Sequence, residues 1–238
     1  DTFDLVVGAD GLNSRVRSLL FGHLPTTDTG MIVVGGWIDQ EIYPLEEVHE
    51  FWGSPALLGL YSNPHRTAYA LVLPDLTADP VDDHEYYREY ALLQVSDPGL
   101  PIHAILREQM QSVPQLDLYK LEDIRIPQWH TERVVLLGDA AAAFLPTAGI
   151  GASMAMESAA VLNDELSRVN TQHIPDALNL YVQRRRKRFD AIQQQSRLLA
   201  KVMGIRNPLL AKLRNAIIPL MNERMMFGSI YQRLDDPI

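Results

Sequence analysis

Residues 133–168, RVVLLGDAAAAFLPTAGIGASMAMESAAVLNDELSR, decide how this chain is read. Val134 to Leu137 is a continuous apolar run, the pattern of a strand buried on both faces. Gly138 frees the backbone to turn, and Asp139 presents a carboxylate at the strand end. Pro146 stiffens the loop that follows. Gly149, Ile150, Gly151 and Ala152 then open a helix rich in small residues. With so little side chain there, main-chain amides can approach a flat ligand. The helix start also carries partial positive charge that favours an electron-rich group. Close helix packing is the competing explanation for small residues, and Ala155, Ala159 and Ala160 are assigned to it.

A second stretch near the start has the same order of parts. Asp4-Leu-Val-Val-Gly-Ala-Asp-Gly-Leu-Asn-Ser-Arg-Val-Arg17 reads as a strand ending at Gly8, a turn, and a helix over 13–20 capped by Asn13 or Ser14. Ligands of open α/β sheets sit at the carboxyl ends of strands, where this turn lies. Gly11 allows close backbone approach. Asp10 can accept from hydroxyls or turn amides, and Arg15 and Arg17 can meet phosphates. An ordinary turn held by its Asp is the alternative.

The bulk properties narrow the class. The 238 residues carry 47% hydrophobic and 21% charged side chains, the balance of an ordinary globular protein with a real core. The net charge of −9 argues against a nucleic-acid surface, and the absence of cysteine excludes disulfides and thiolate chemistry. No apolar run reaches about 18 residues, so no spanning helix is predicted. The seven histidines lack metal-ligand spacing, and no metal site is predicted. Between the two motifs lies a β-rich stretch with strand candidates at 32–38, 49–52, 67–73 and 116–126, an acidic loop at 75–83, and helices at 85–93 and 101–111. Helical periodicity fills 150–167, 176–203 and 208–231. The run Arg184-Arg-Arg-Lys-Arg188 reads as a solvated helix face with one or two ion pairs.

The first motif of the chain resembles the DG motif of class A flavoprotein monooxygenases, the aromatic-hydroxylase type. Val-Val-Leu-Leu-Gly-Asp-Ala-Ala, followed by Pro146 and Gly-Ile-Gly, resembles their second FAD motif. Both occur in the family's order, with a β-rich stretch of suitable size between them. The resemblance implies an α/β (α+β) fold: a partial FAD-binding Rossmann-like domain, an inserted, mostly antiparallel β-sheet substrate domain and a helical C-terminal tail. The implied boundaries are 1–28 and 128–170 for the FAD domain, 29–127 for the substrate domain and 171–238 for the tail.

By the same resemblance Asp139, beside Gly138, would bind the ribityl chain of FAD. Gly149, Ile150, Gly151 and Ala152, after Pro146, would border the pyrimidine edge of the flavin. Asp10, Gly11 and Arg15 would serve the pyrophosphate region and the encounter with NAD(P)H. NAD(P)H would reduce FAD, O2 would give a flavin hydroperoxide, and an aromatic or polycyclic small molecule would be hydroxylated. The cofactor carries that chemistry, so no catalytic acid or base is singled out. A flavin-dependent reductase or dehydrogenase of the same fold, and a truncated non-catalytic flavoprotein, are the other readings. The chain departs from the family at Ala142, where many members have His. It departs also at Ile150 and Ser153 (Gln and Asn) and at Ser158 (Asp). It also lacks the Gly-x-Gly-x-x-Gly unit that seats the ADP half of FAD. It is therefore expected to be a C-terminal piece that partners a missing N-terminal segment of the same protein. A cytoplasmic location and a homodimer are the remaining expectations.

Overall fold

The computed structural model describes residues 2–45, 47–53, 56–74, 83–222 and Gly228. Most of the predicted acidic loop and the end of the last helical segment lie outside the described residues. Within them the chain forms two compact units, one of residues 2–27, 122–201 and 220–222, the other of residues 28–121 and 202–219.

The first unit is built from two strand–turn–helix segments. β1 (Val6–Gly8) leads to α1 (Arg15–Phe21), and β7 (Val134–Leu136) leads, through a tight turn and the short β8 (Ala142–Ala143), to α4 (Gly151–Leu166). β1 and β7 run parallel, Val6 beside Val134 and Gly8 beside Leu136. Gly8 has no room for a side chain: a Cβ there would come within 2.8 Å of Val16 and 2.9 Å of Leu136. The sequence predicts β1 to be buried, but only Gly8 is. Val6 and Val7 keep 42% and 45% of their surface, because β7 is the only strand that β1 pairs with among the described residues.

α5 (Ile174–Met203) buries a stripe at three- and four-residue spacing: Leu178, Tyr181, Arg185, Phe189, Ile192 and Ser196. With Trp129, Val135, Leu136, Met154 and Val161 it closes the core of this unit. The stripe runs through the basic segment, and this corrects the reading of that segment as a solvated face. Arg185 is 1% exposed and donates to Glu157 at 2.8 Å, to Ser158 and to the Met154 carbonyl. Arg188 is also buried and donates to the other oxygen of Glu157 at 2.9 Å. Arg184 reaches Asp164 and Glu165. The run is an ionic clamp between α5 and α4.

The second unit is an antiparallel sheet covered on one face by helices. β2 (Thr27–Ile38) pairs with β5 (Arg66–Pro74), β5 with β4 (Leu57–Asn63) and β4 with β3 (Val48–Trp52). β6 (Asp117–Arg125) lies on the other side of β2. Its last residues, Ile124 and Arg125, belong to the first unit and pair with β8. Ile32, Val34, Leu58, Leu60, Tyr69, Leu71 and Leu73 point to one face and bury against α2 (His84–Gln94) and α3 (Pro101–Ser112). β4 was not among the predicted strands. Its Leu57-Leu58-Gly59-Leu60 run is buried on both faces and shows no alternation to recognise. α6 (Pro208–Ile217) completes the unit; its buried Arg214 donates to the Trp52 and Gly53 carbonyls.

Candidate cofactor site

Because β1 and β7 are parallel neighbours, their carboxyl ends open on the same side of the first unit, and the two motif turns lie there together. The turn after β7 is a single 3-10 turn over Gly138–Ala140. Gly138 has φ +61°, and a Cβ on it would sit 3.2 Å from the Cβ of Ala155 in α4. The left-handed backbone favours glycine here, and the closeness of the helix leaves little room for a side chain.

Asp139 follows in this turn. Its carboxylate is exposed and makes no hydrogen bond or ion pair with any described residue. Nevertheless, protein packed around the carboxyl partly desolvates it and pushes its pKa up from the ordinary carboxylate value. An acceptor in partly desolvated surroundings without a donor is able to accept from a ligand that brings hydroxyls.

Pro146 begins a second 3-10 turn that ends in Gly149 at φ +66°, the left-handed conformation glycine adopts most readily. α4 starts immediately after. Ile150 is its N-cap residue and no side chain caps it. The amides of Gly151, Ala152 and Ser153 therefore have no partner within the helix. A Cβ on Gly149 or on Gly151 would meet nothing within 4 Å, so the space in front of the helix start is open. Ala142, Ile150, Ser153 and Ser158 stand where the resembled family often carries larger hydrogen-bonding side chains. Ser158 is buried and donates to the Met154 carbonyl at 2.7 Å, so it serves the helix rather than a ligand.

The turn after β1 divides its residues between roles. Asp10 accepts from the Ser14 hydroxyl at 2.5 Å and from the amides of Arg15 at 2.8 Å and Val16 at 3.0 Å. Slight burial pushes its pKa up, but these hydrogen bonds outweigh it and hold the carboxyl below its ordinary value. Its oxygens are engaged in building the start of α1, whose cap is Ser14. Gly11, at φ +80°, faces open space. Arg15 is exposed and pairs with no described residue, so it is available to an anion. Arg17 is not. It is 5% exposed and donates to the Leu12 carbonyl and, at 2.9 Å, to the Ala140 carbonyl in the turn after β7. Arg17 thus fastens the two motif turns to each other. Its own motif offered it to phosphate, and a carbonyl acceptor 123 residues away cannot be read from that motif.

The cradle is thus an acceptor at a strand end, an uncapped helix start, two left-handed glycines facing open space and one free guanidinium. These residues suit a large cofactor with a polyol chain, an electron-accepting edge and phosphates. Residues 2–196 match the family described as FAD binding domain. The chain belongs to that family. It is 28% identical over 220 residues to 2-heptyl-3-hydroxy-4(1H)-quinolone synthase of Pseudomonas aeruginosa, covering 91% of this chain and 56% of that protein. It is 27% identical over 231 residues to salicylate hydroxylase of Pseudomonas putida, covering 87% and 53%. The fold matches that of Klebsiella pneumoniae HpxO, solved with FAD and uric acid. The TM-score is 0.79 at 22% identity, over 98% of this chain and 60% of that one. The FAD-binding chain therefore spans little more than half the length of these relatives. No helix among its described residues is long and apolar enough to cross a membrane, and no group of three or more His, Cys, Asp or Glu could hold a metal.

The second unit has a distinct feature on the sheet face away from α2 and α3. Gly59 of β4, Ala70 of β5 and Gly35 of β2 lie side by side in register, a row of small residues across three strands, and the Tyr61 ring lies over Gly59, where a Cβ would come within 2.7 Å of its hydroxyl oxygen. Tyr61, Trp37 and Tyr119 border the row with 39%, 40% and 47% of their surface exposed. The strand register shows which residues share this face.

Proposed function

We propose that this chain is the flavin- and substrate-binding portion of a monooxygenase that uses NAD(P)H and O2 to hydroxylate an aromatic or polycyclic small molecule. The observation that carries the reading is the partnerless Asp139 carboxylate beside the uncapped start of α4. Asp139 accepts from ribityl hydroxyls. The amides of Gly151 and Ala152 face the pyrimidine edge of the flavin and stabilise negative charge there. Arg15 meets the pyrophosphate, and Asp10 holds the turn that presents Gly11. FAD, when bound, would supply the redox chemistry that couples NAD(P)H oxidation to oxygenation by O2. The protein contributes position and exclusion of water, which explains why no general acid or base is assigned. A flat substrate packs against the exposed rings of Tyr61, Trp37 and Tyr119 on that sheet face. The setting is the cytoplasm, where NAD(P)H is supplied.

The test is NAD(P)H-dependent O2 uptake by the full-length protein, with and without candidate phenols and heteroaromatic phenol analogues. Stimulated uptake with formation of the hydroxylated product is expected. NAD(P)H oxidation coupled to another acceptor, with no oxygenated product from any of them, would transfer the site to a reductase.

A further inference from the structure

Beyond the ionic clamp, the buried stripe of α5 meets the stretch between β8 and α4 that carries Pro146 and Gly149. Phe189, Gln193 and Ser196 are spaced four and three residues apart, so they stand on one face of the helix, a turn after each other. Phe189 packs on Phe144, with ring centres 4.9 Å apart. Gln193 is 3% exposed, and its amide nitrogen donates to the carbonyls of Ala143 in β8 and Ile124 in β6, both at 2.9 Å. Those two residues are partners in the strand register, so one side chain ties the short β8 both to its neighbour and to α5. The Ser196 carbonyl accepts from the Thr147 hydroxyl at 2.8 Å. α5 is itself fixed against β6 at this level, because Arg197 pairs with the buried Asp123.

The stretch from Ala143 to Thr147 is thus held at both ends by one helix face. Little freedom is left beyond it. The Gly149 amide donates to the Pro146 carbonyl at 2.9 Å and closes the turn that contains Thr147. Ile150 follows, and α4 begins at Gly151. On the far side of that helix start, Arg185 of the same α5 stripe donates to the Met154 carbonyl. The open amides at the start of α4 are therefore bracketed by contacts to α5, Thr147 before them and Met154 after.

We propose, resting on the FAD reading of the cradle, that Thr147 and Gln193 are positioning residues that hold the amides of Gly151 and Ala152 toward the ring edge where negative charge gathers on reduction. Both side chains are engaged with protein carbonyls and act through the backbone they hold. Main-chain donors stabilise such charge best when they are aimed at it beforehand. A stretch released from α5 would bind the oxidised ring nearly as before and the reduced, more electron-rich ring less well.

The measurement is the midpoint potential of FAD bound to the full-length protein, taken together with FAD affinity and the thermal midpoint. Thr147→Val keeps the shape of the side chain and removes the hydroxyl, whereas Thr147→Ser keeps the hydroxyl. Thr147→Val should weaken binding of reduced flavin roughly ten-fold relative to oxidised flavin, a fall of about 30 mV for a two-electron couple. Thr147→Ser should keep the parent potential, and both variants should keep the parent thermal midpoint closely. Gln193→Met has a similar length but no donor, and should shift the potential in the same direction with some loss of thermal stability. The Thr147 pair decides even if Gln193→Met does not fold. A parent potential in Thr147→Val, or an equal fall in Thr147→Ser, would overturn the positioning role while leaving the cofactor reading intact. A parent protein that binds no FAD would refute the cofactor reading, and the positioning role with it.

Discussion

At the scale of single residues, Asp139 and Asp10 are two carboxylates in matching turns with opposite surroundings. Asp139 is desolvated without a donor, so its pKa lies above the ordinary 3.8. The ligand-free fold therefore holds the proton more tightly than the unfolded chain does and loses stability as pH rises from 3.8 through the raised value. Ribityl hydroxyls favour the ionised form. FAD binding should accordingly expel a proton and tighten as pH rises through that window, then level off. Asp139→Asn should bind FAD roughly ten-fold more weakly and with no such slope, measured by flavin fluorescence. Identical slopes in both proteins would exclude the contact. Asp10 has the reverse sign. Its lowered pKa gives stability that is present above 3.8 and lost as pH falls through the folded-state value. Asp10→Ala should cost about 1 kcal/mol in denaturant unfolding, the worth of a helix cap, and the cost should vanish in acid. The local structure around Asp139 was legible in sequence because one loop supplies it in order: an apolar strand, a Gly-Asp turn and glycines at a helix start. Arg17 was not legible, since its burial depends on a partner from a distant turn.

Whole elements follow local pattern where one face alone is buried. α2, α3 and α4 lie within a residue or two of their predicted spans, and the predicted 67–73 strand is β5, Arg66–Pro74. Pattern fails where burial is two-sided, as in β4, and where charge is buried, as in α5. Charge normally marks solvent, but Arg185, Arg188, Phe189 and Ile192 share one stripe, and three- and four-residue spacing was the available sign that the run turned inward. Glu157 is the acceptor for both buried arginines. Removing it takes the shared carboxylate away from two buried guanidiniums. Glu157→Ala should therefore destabilise the protein by about 3 kcal/mol, far above the cost of deleting an exposed ion pair. Exposed Asp176, whose partner is His173, is the control: Asp176→Ala should change the unfolding midpoint very little. Equal effects would mean that the clamp is no stronger than a surface pair.

On the scale of the molecule, the chain order interleaves the two units, yet each closes its own core. The first centres on Trp129, Val135, Met154 and Phe189, the second on Ile32, Leu60, Leu106 and Met110. The proposed cofactor cradle lies in one unit and the proposed substrate face in the other, and separate cores allow each to be tuned separately. Leu106 tests this. It is fully buried under the sheet in α3, so Leu106→Ala removes packing that only the second unit uses. The expected cost is about 3 kcal/mol, from lost burial and the cavity left behind. Local opening free energies follow the contacts that are lost. Hydrogen exchange should therefore accelerate through β2, β4, β5 and α2, while amides of β7, α4 and the buried part of α5 keep their protection. FAD content should stay near that of the parent protein, because no cradle residue touches Leu106. Uniform loss of protection across both units would show instead that they unfold as one body. The cradle and the substrate face would then share a single stability, and a change made in either would be felt in both.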